Sequence, residues 1–353
     1  VTPAVRRLAW RVAPVLGVAA CASQFVAAPS APPPFVNAYP AADDTGERAP
    51  LGYFLRRARV QLTRDAAATE LPPTVPLDLE AMAQRPFAVA WLGHSTLLVR
   101  AGGLWLMTDP VLSDYATPLP PFGPKRLTPL PPGVLPRIDV VLISHDHYDH
   151  LALPTIERLA RQPGGPPRVL AGRGLAAWFA REAALAGEDF DWWQSTAHGE
   201  LRITFVPAQH SSGRSLGTRN RTLWGGWVVE HGERRFYFAG DTAYSAPLFA
   251  DLRRRFGPPG LAALPIGAYQ PRAWMRHEHT DPGEAVQAHL DLGAVRSFGI
   301  HWATFQLGDE EPMQPAKDLA AVLAERGVDG FGLLPVGGWF DVEAVAAPAL
   351  ASR

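Results

Sequence analysis

A single cysteine, Cys21, is all the thiol in this 353-residue chain. An intrachain disulfide is thereby excluded, and so is a zinc site built on several cysteine ligands. An excess of one charge is missing too: 33 Lys and Arg stand against 34 Asp and Glu, a formal net charge of −1. With no basic arm or stripe, the electrostatic case for a nucleic-acid partner falls away. No apolar run reaches the roughly 20 residues that span a bilayer as a helix. Any metal chemistry must therefore use His, Asp and Glu, and the chain holds 11 histidines. A hydrophobic share of 47% suffices for a large core, and 36 Pro with 32 Gly fit many tight turns between short elements.

The first 20 residues read as an address. Arg6, Arg7 and Arg11 precede a short apolar stretch, and small residues then lead into the cysteine as Val18-Ala19-Ala20-Cys21. This resembles a bacterial lipoprotein signal, in which that cysteine carries the lipid. The expected organisation is a signal peptide over 1–20 and an Ala/Pro-rich tether over 21–34. A segment packing on the domain follows over 35–86, and the main domain itself over 87–345. Location follows as the bacterial cell envelope, facing the periplasm and held to the membrane by a lipid on Cys21. The alternative is a cytoplasmic protein whose N-terminus is an ordinary apolar helix.

From Phe87 onward, short strands and helices alternate. Phe87–Leu92, Thr96–Val99 and Leu104–Met107 are β-type runs punctuated by Gly93, Gly102 and Gly103, the pattern of an antiparallel meander. Asp139–Ser144 is a continuous apolar run, as in a strand buried on both faces. Leu153–Gln162 and Arg173–Leu185 have helical period. Strands are then expected at Leu201–Val206, Gly226–Glu230, Arg235–Ala239, Leu261–Ile266, Val295–Ile300 and Phe331–Val336. Helices are expected at Pro282–Leu292 and Pro315–Arg326. Meander and βα segments thus occur in both halves, which two packed sheets with helices outside would accommodate.

His145-Asp146-His147-Tyr148-Asp149-His150 follows the buried run directly. Loops beyond strand ends are where rigid scaffolds place reactive groups. His145 and His147 point to one side and can grip one cation, while Asp149 and His150 at the bend can face a second. Four ligands cannot complete two sites. Three further candidates stand just beyond later strands: His210, Asp241 and His301. Asp241 is a carboxylate able to bridge two ions. Imidazole and carboxylate donors suit zinc first, with iron or manganese as alternatives.

The ordered set His-x-His-x-Asp-His, His, Asp, His resembles the metallo-β-lactamase superfamily. Trp91-Leu-Gly-His94-Ser-Thr96, Thr108-Asp-Pro110, Gly123-Pro-Lys-Arg126, Phe238-Ala-Gly-Asp-Thr242 and Pro265-Ile-Gly-Ala-Tyr269 are similar to its N-acylphosphatidylethanolamine-hydrolysing phospholipase D group. Phe35-Val-Asn37 extends the likeness toward the N-terminus. The resemblance implies an α/β fold of αββα sandwich type, two mixed β-sheets packed together with helices outside. It implies two Zn2+, one held by His145, His147 and His210, the other by Asp149, His150 and His301, with Asp241 bridging. It also implies a non-ligand catalytic histidine, matched to His279 by its place before Asp281-Pro282; His277 is the rival, expected to face solvent. Gln270 stands where the group often carries a carboxylate.

The chemistry so implied is hydrolysis of a phosphodiester by a metal-bridging hydroxide. The expected substrate is a phospholipid resembling N-acylphosphatidylethanolamine. His279, Asp149 and Asp241 are the catalytic candidates, and a homodimer is one arrangement open to the chain. A lactonase, a different phosphodiesterase and a non-catalytic ligand-binding lipoprotein are the competing functions. His94 is expected beside the ligands or hydrogen-bonded in the core. His198, His231 and His289 are expected at the surface or in loops, and Arg214, Arg219 and Arg221 in a solvated loop or against a substrate headgroup.

Overall fold

The computed structural model describes residues 35–39, 52, 69–215 and 217–345. The expected signal, the tether and the Cys21 anchor lie outside the described residues, as does much of the 35–86 segment.

The first sheet opens with β1 (Phe87–Trp91), β2 (Leu97–Ala101) and β3 (Leu104–Thr108) as an antiparallel meander. To β3 are added in parallel β4 (Val140–Leu142), β5 (Arg168–Gly172) and β6 (Gly187–Phe190). The second sheet repeats the plan. Its meander is β7 (Ser195–His198), β8 (Leu201–Val206), β9 (Gly226–His231) and β10 (Arg234–Phe238). Parallel strands β11 (Leu261–Pro265), β12 (Ser297–Ile300) and β13 (Phe331–Gly332) complete it. Finally β14 (Trp339–Asp341) returns to the first sheet, antiparallel to β1 with Phe340 opposite Val89.

Each parallel step needs a crossover, and helices supply most of them. α1 (Leu79–Ala83) precedes β1, capped by Asp78, whose carboxylate accepts from Ala81 N. α2 (Leu153–Ala160) joins β4 to β5, and α3 (Ala176–Ala183) joins β5 to β6. In the second half α4 (Ala246–Phe256), α5 (Arg272–Met275), α6 (Pro282–Leu292) and α7 (Gln314–Arg326) fill the same role.

Side-chain alternation separates the layers. Phe87, Val89, Trp91, Leu97 and Val99 face the core shared with the second sheet, where Phe87 meets Phe236 edge-on at 6.4 Å. Ala88, Ala90, Leu98 and Val141 face the other way, under Met82, Ile156, Leu159 and Phe179 of α1, α2 and α3. Leu248, Ala285 and Leu319 of α4, α6 and α7 belong to the core shared by both sheets. The result is a metallo-β-lactamase-type αββα sandwich of two mixed seven-stranded sheets.

Several bounds differ from expectation. The helix expected over Arg173–Leu185 is confined to Ala176–Ala183, because Gly174 and Ala184 both take left-handed φ. The last β-run ends at Gly332, before Pro335, which has no amide hydrogen for a ladder. β6, β7, β14, α1, α4 and α5 are additions to the expected elements.

Candidate metal centre

Six site-bearing loops leave the C-terminal ends of strands that run in one direction within each sheet. His94 follows β1, Asp109 follows β3, and His145 to His150 follow β4. From the second sheet come His210 after β8, Asp241 after β10 and His301 after β12. Backbone strain concentrates there: His94, Asp109 and His301 take φ of 54°, 34° and 62°. Such left-handed non-glycine residues cost about 1–3 kcal/mol each and persist only where the surroundings hold them. His301 N donates to His94 O and His94 N to Thr304 Oγ1, which ties two of these turns together. Glycine is obligatory at two approaches. A Cβ on Gly240 would sit 2.6 Å from Ser144 Cβ, and one on Gly267 would sit 2.1 Å from His301 O.

The seven expected ligands converge. Asp241 Oδ2 lies 3.1 Å from His301 Nε2 and 3.2 Å from His150 Nε2 on one side. On the other side it lies 3.7 Å from His210 Nε2 and 4.0 Å from His145 Nε2. His145 Nε2 and His147 Nδ1 stand 2.9 Å apart, and His210 Nε2 is 3.3 Å from the same His147 atom. Asp149 Oδ2 is 3.3 Å from His301 Nε2 and 3.2 Å from His150 Nε2. The groups form two poles, His145/His147/His210 and Asp149/His150/His301, with Asp241 between them.

Outer hydrogen bonds decide which nitrogens carry lone pairs, and that supplies a test of whether a cation fits. Asp109 Oδ2 accepts from Ser144 Oγ at 2.5 Å and from His150 Nδ1 at 2.7 Å. Since the Ser144 proton goes to Asp109, Ser144 Oγ accepts from His145 Nδ1 at 2.9 Å. Glu278 O accepts from His210 Nδ1 at 2.9 Å. His145 and His210 therefore turn bare Nε2 lone pairs inward, toward each other, while His150 turns its Nε2 toward the carboxylate oxygens of Asp149 and Asp241. His150 Nε2 and Asp241 Oδ1 are buried without a hydrogen-bond partner among the described residues. Lone pairs facing lone pairs repel unless a cation lies between them, so these His/Asp clusters are able to bind metal.

The electrostatics differ between poles. Burial pushes His147 and His210 down to about 4, and it drives His145, already pressed by His150, well below the usual imidazole range. At the other pole burial acts the same way but is outweighed. Asp241 and Asp149 hold His150 well above its ordinary value and His301 at about 9. Burial would raise Asp149 and Asp241, yet neighbouring His150 keeps both well below the carboxylate range.

His279 joins the site without belonging to either pole: its Nδ1 is 3.8 Å from Asp241 Oδ2 and has no hydrogen-bond partner among the described residues. Its place is fixed from both sides. Arg272 Nη1 donates to its carbonyl, Thr280 N donates to Thr242 O, and Asp281 with Glu284 forms the capping box of α6 just beyond. Burial lowers the His279 pKa to about 3. His277 is half-buried, and both of its ring nitrogens are covered and lack a partner among the described residues. His94 sits beside the ligands, its Nε2 2.9 Å from Asp149 Oδ2 and its ring 4.1 Å from that of His301. His289 is a core residue rather than a surface one, bonded through Nδ1 to Ser297 Oγ at 2.8 Å.

Three residues gain roles that the sequence reading does not give them. Asp109 orients His150. Glu278 is a buried carboxylate beside His210; burial would raise it, but Arg219 and His210 hold it near 2. Arg219 Nη2 and Ser211 Oγ both donate to its Oε1. Arg214 is partly buried and lines the cavity beside the metal loop. It stacks on Tyr148 at 4.0 Å and donates to the carbonyls of Asp146 and Leu151, bracing the loop that carries His147. Arg221 is exposed. Trp91, Trp224, Trp227 and Trp302 are buried in the core.

The family profile described as Beta-lactamase superfamily domain matches residues 104–302, which carry every ligand candidate. With this fold and this site, the chain belongs to the metallo-β-lactamase superfamily of metal-dependent hydrolases. Within it, the chain is 38% identical over 251 residues to N-acyl-phosphatidylethanolamine-hydrolyzing phospholipase D 1 of Caenorhabditis elegans, covering 67% of this chain and 69% of the other. An uncharacterized protein of Mycobacterium tuberculosis is also 38% identical, over 294 residues, 81% of this chain and 77% of that one. Among solved structures, an isothiocyanate hydrolase from Delia radicum gut bacteria shares the fold, with a TM-score of 0.56 at 16% identity. That match covers 73% of this chain and 100% of the other.

Proposed function

We propose that this chain is a dinuclear zinc phosphodiesterase of phospholipase D type, acting on phospholipids that resemble N-acylphosphatidylethanolamine. The gathering of His145, His147, His210, Asp149, His150 and His301 into two poles with Asp241 between them carries the reading. His145, His147 and His210 would hold one ion, Asp149, His150 and His301 the other, and Asp241 would bridge. Two bound cations supply an acidified water near neutral pH and neutralise charge on phosphoryl oxygens.

The chain's own groups do the rest. His279, kept neutral by burial, offers an N–H to a phosphoryl or leaving-group oxygen rather than a positive charge. Its low pKa prevents it from competing with the cations as a resident imidazolium. Asp109 and Glu278 hold ligand rings in the tautomers described above. The likeness to the worm phospholipase supports the substrate class. So does a cavity of about 830 Å³ lined by Asp146 and Tyr148 of the metal loop. Pro118, Leu153 and Trp178 give it apolar walls, and Arg181, Arg214 and Arg221 are among its lining residues. That combination suits an amphiphile with an anionic centre.

The test is mass spectrometry of products after the zinc-loaded protein meets N-acylated and ordinary phospholipids, phosphodiester model compounds and lactones. Release of N-acylethanolamine together with phosphatidic acid is expected, and lactone opening alone would overturn the reading. We also propose that a lipid on Cys21 holds the chain at the periplasmic face of an envelope membrane. None of the described helices is long and apolar enough to cross a bilayer. Labelled palmitate should enter the parent and not Cys21→Ser; equal labelling of both would defeat the anchor.

A further inference from the structure

Residues 35–39 lie far from the site in sequence and next to it in space. Asn37 Oδ1 accepts from the backbone N–H of His210 at 3.1 Å, a contact between residues 173 apart. The same oxygen accepts from Trp224 Nε1 at 2.9 Å. His210 lies beyond the end of β8, so no strand neighbour is available to its amide, and the residue is only 2% exposed. A buried amide of that kind must find a partner. The Trp224 indole has a second acceptor, Ala208 O at 3.1 Å. Among the described residues, the partner shown for the His210 amide is Asn37.

The ring of His210 is held separately, by the Glu278 carbonyl at Nδ1. Two bonds from two distant parts of the chain thus set this residue: one places its backbone and the other turns its imidazole. Around Asn37 the short segment is pinned on both sides. Phe35 lies under the Arg173 guanidinium, with 5.0 Å from Cζ to the ring centroid, and Tyr39 OH donates to Asp251 Oδ2 at 2.7 Å.

The geometry points to Asn37 as a positioning residue that sets the third ligand of the His145/His147/His210 pole. This inference rests on the dinuclear reading above. Its consequence is selective: the first pole depends on a residue from outside the sandwich, and among the described residues the carboxylate pole shows no such contact. Removing an outer partner of a metal ligand typically weakens metal affinity about 10–100-fold.

The experiment titrates zinc against a chromophoric chelator with the purified full chain and its variants. Asn37→Ala should weaken one equivalent by that factor, the same equivalent that His210→Ala loses, and leave the other in place. Asn37→Asp keeps an oxygen facing both donors and should restore most of the affinity. Tyr39→Phe loosens the same segment without touching His210, and it should bind both equivalents as the parent does. The inference is overturned if Asn37→Ala binds both equivalents at parental affinity. It also falls if Asp fails to rescue, or if Tyr39→Phe matches Asn37→Ala. A parent that binds fewer than two equivalents would defeat the dinuclear reading itself, whereas two tight equivalents in parent and Asn37→Ala alike would defeat this inference alone.

Discussion

The two poles use the same residue types to opposite electrostatic effect. At His145, His147 and His210, burial dominates, and the imidazoles stay neutral far into acid. At Asp149, His150 and His301, two buried carboxylates dominate, and the imidazoles are drawn toward the charged form. The first pole offers three neutral donors whose lone pairs repel. The second already carries negative charge and is wired through His150 to Asp109. A cation entering the first pole relieves repulsion between dipoles, while one entering the second replaces protons. Cation binding at the second pole should therefore be coupled to proton release, as metal sites generally are.

Asp241 is shared, so its loss should erase the difference between the poles. Asp241→Asn is expected to lower kcat by more than about 10³-fold, above the loss seen when one strong electrostatic stabiliser is removed. Metal analysis should find both equivalents weakened, and retention of two tight ions would remove Asp241 from the bridge. His279 belongs to neither pole. His279→Ala should slow turnover by about 10²-fold, at the low end for a general acid, with metal content intact. Equal zinc loss in His279→Ala and Asp241→Asn would show that the two residues had been assigned wrongly. Asp109→Asn sharpens the contrast from one side, since it disturbs the orientation of His150 directly. One equivalent should weaken by about 10–100-fold, with a smaller effect on the other, measured by the same chelator competition. A symmetric loss would mean that Asp109 supports the whole loop rather than one ligand.

How much of this the sequence carries depends on how local each signal is. The hexapeptide from His145 to His150 is contiguous and sits behind a buried strand, so four ligands are legible at once. His210, Asp241 and His301 are legible because each follows an apolar run, and in the fold all those runs point the same way. His279 is recognisable through the Asp281-Pro282 start of α6. Other contributions are not local. The Asp109 carboxylate matters only because β3 and β4 are neighbours, a pairing with no mark in its own residues. Glu278 reads as an ordinary polar residue beside two histidines, and its burial is set by loops that arrive from elsewhere. Among the elements, β6 is Gly187-Glu-Asp-Phe190, too polar to signal a strand, and β14 has only three residues. The helical spacing of Leu248, Phe249 and Leu252 does mark α4, behind a proline in its first turn. His289 misleads because a histidine on a helix resembles a surface residue until its Ser297 partner is in place.

The return of β14 to the first sheet bears on how the molecule melts. By chain order it belongs with the second half, and by its ladder it closes the edge beside β1. Like a buckle fastened across two straps, it keeps either half from opening alone. The loops that supply the metal ligands come from both halves, so a domain built as two separable layers would let the ions escape whenever one layer frayed. With β14 tying the second half of the chain to β1, loss of metal is expected to accompany global unfolding rather than the opening of one half.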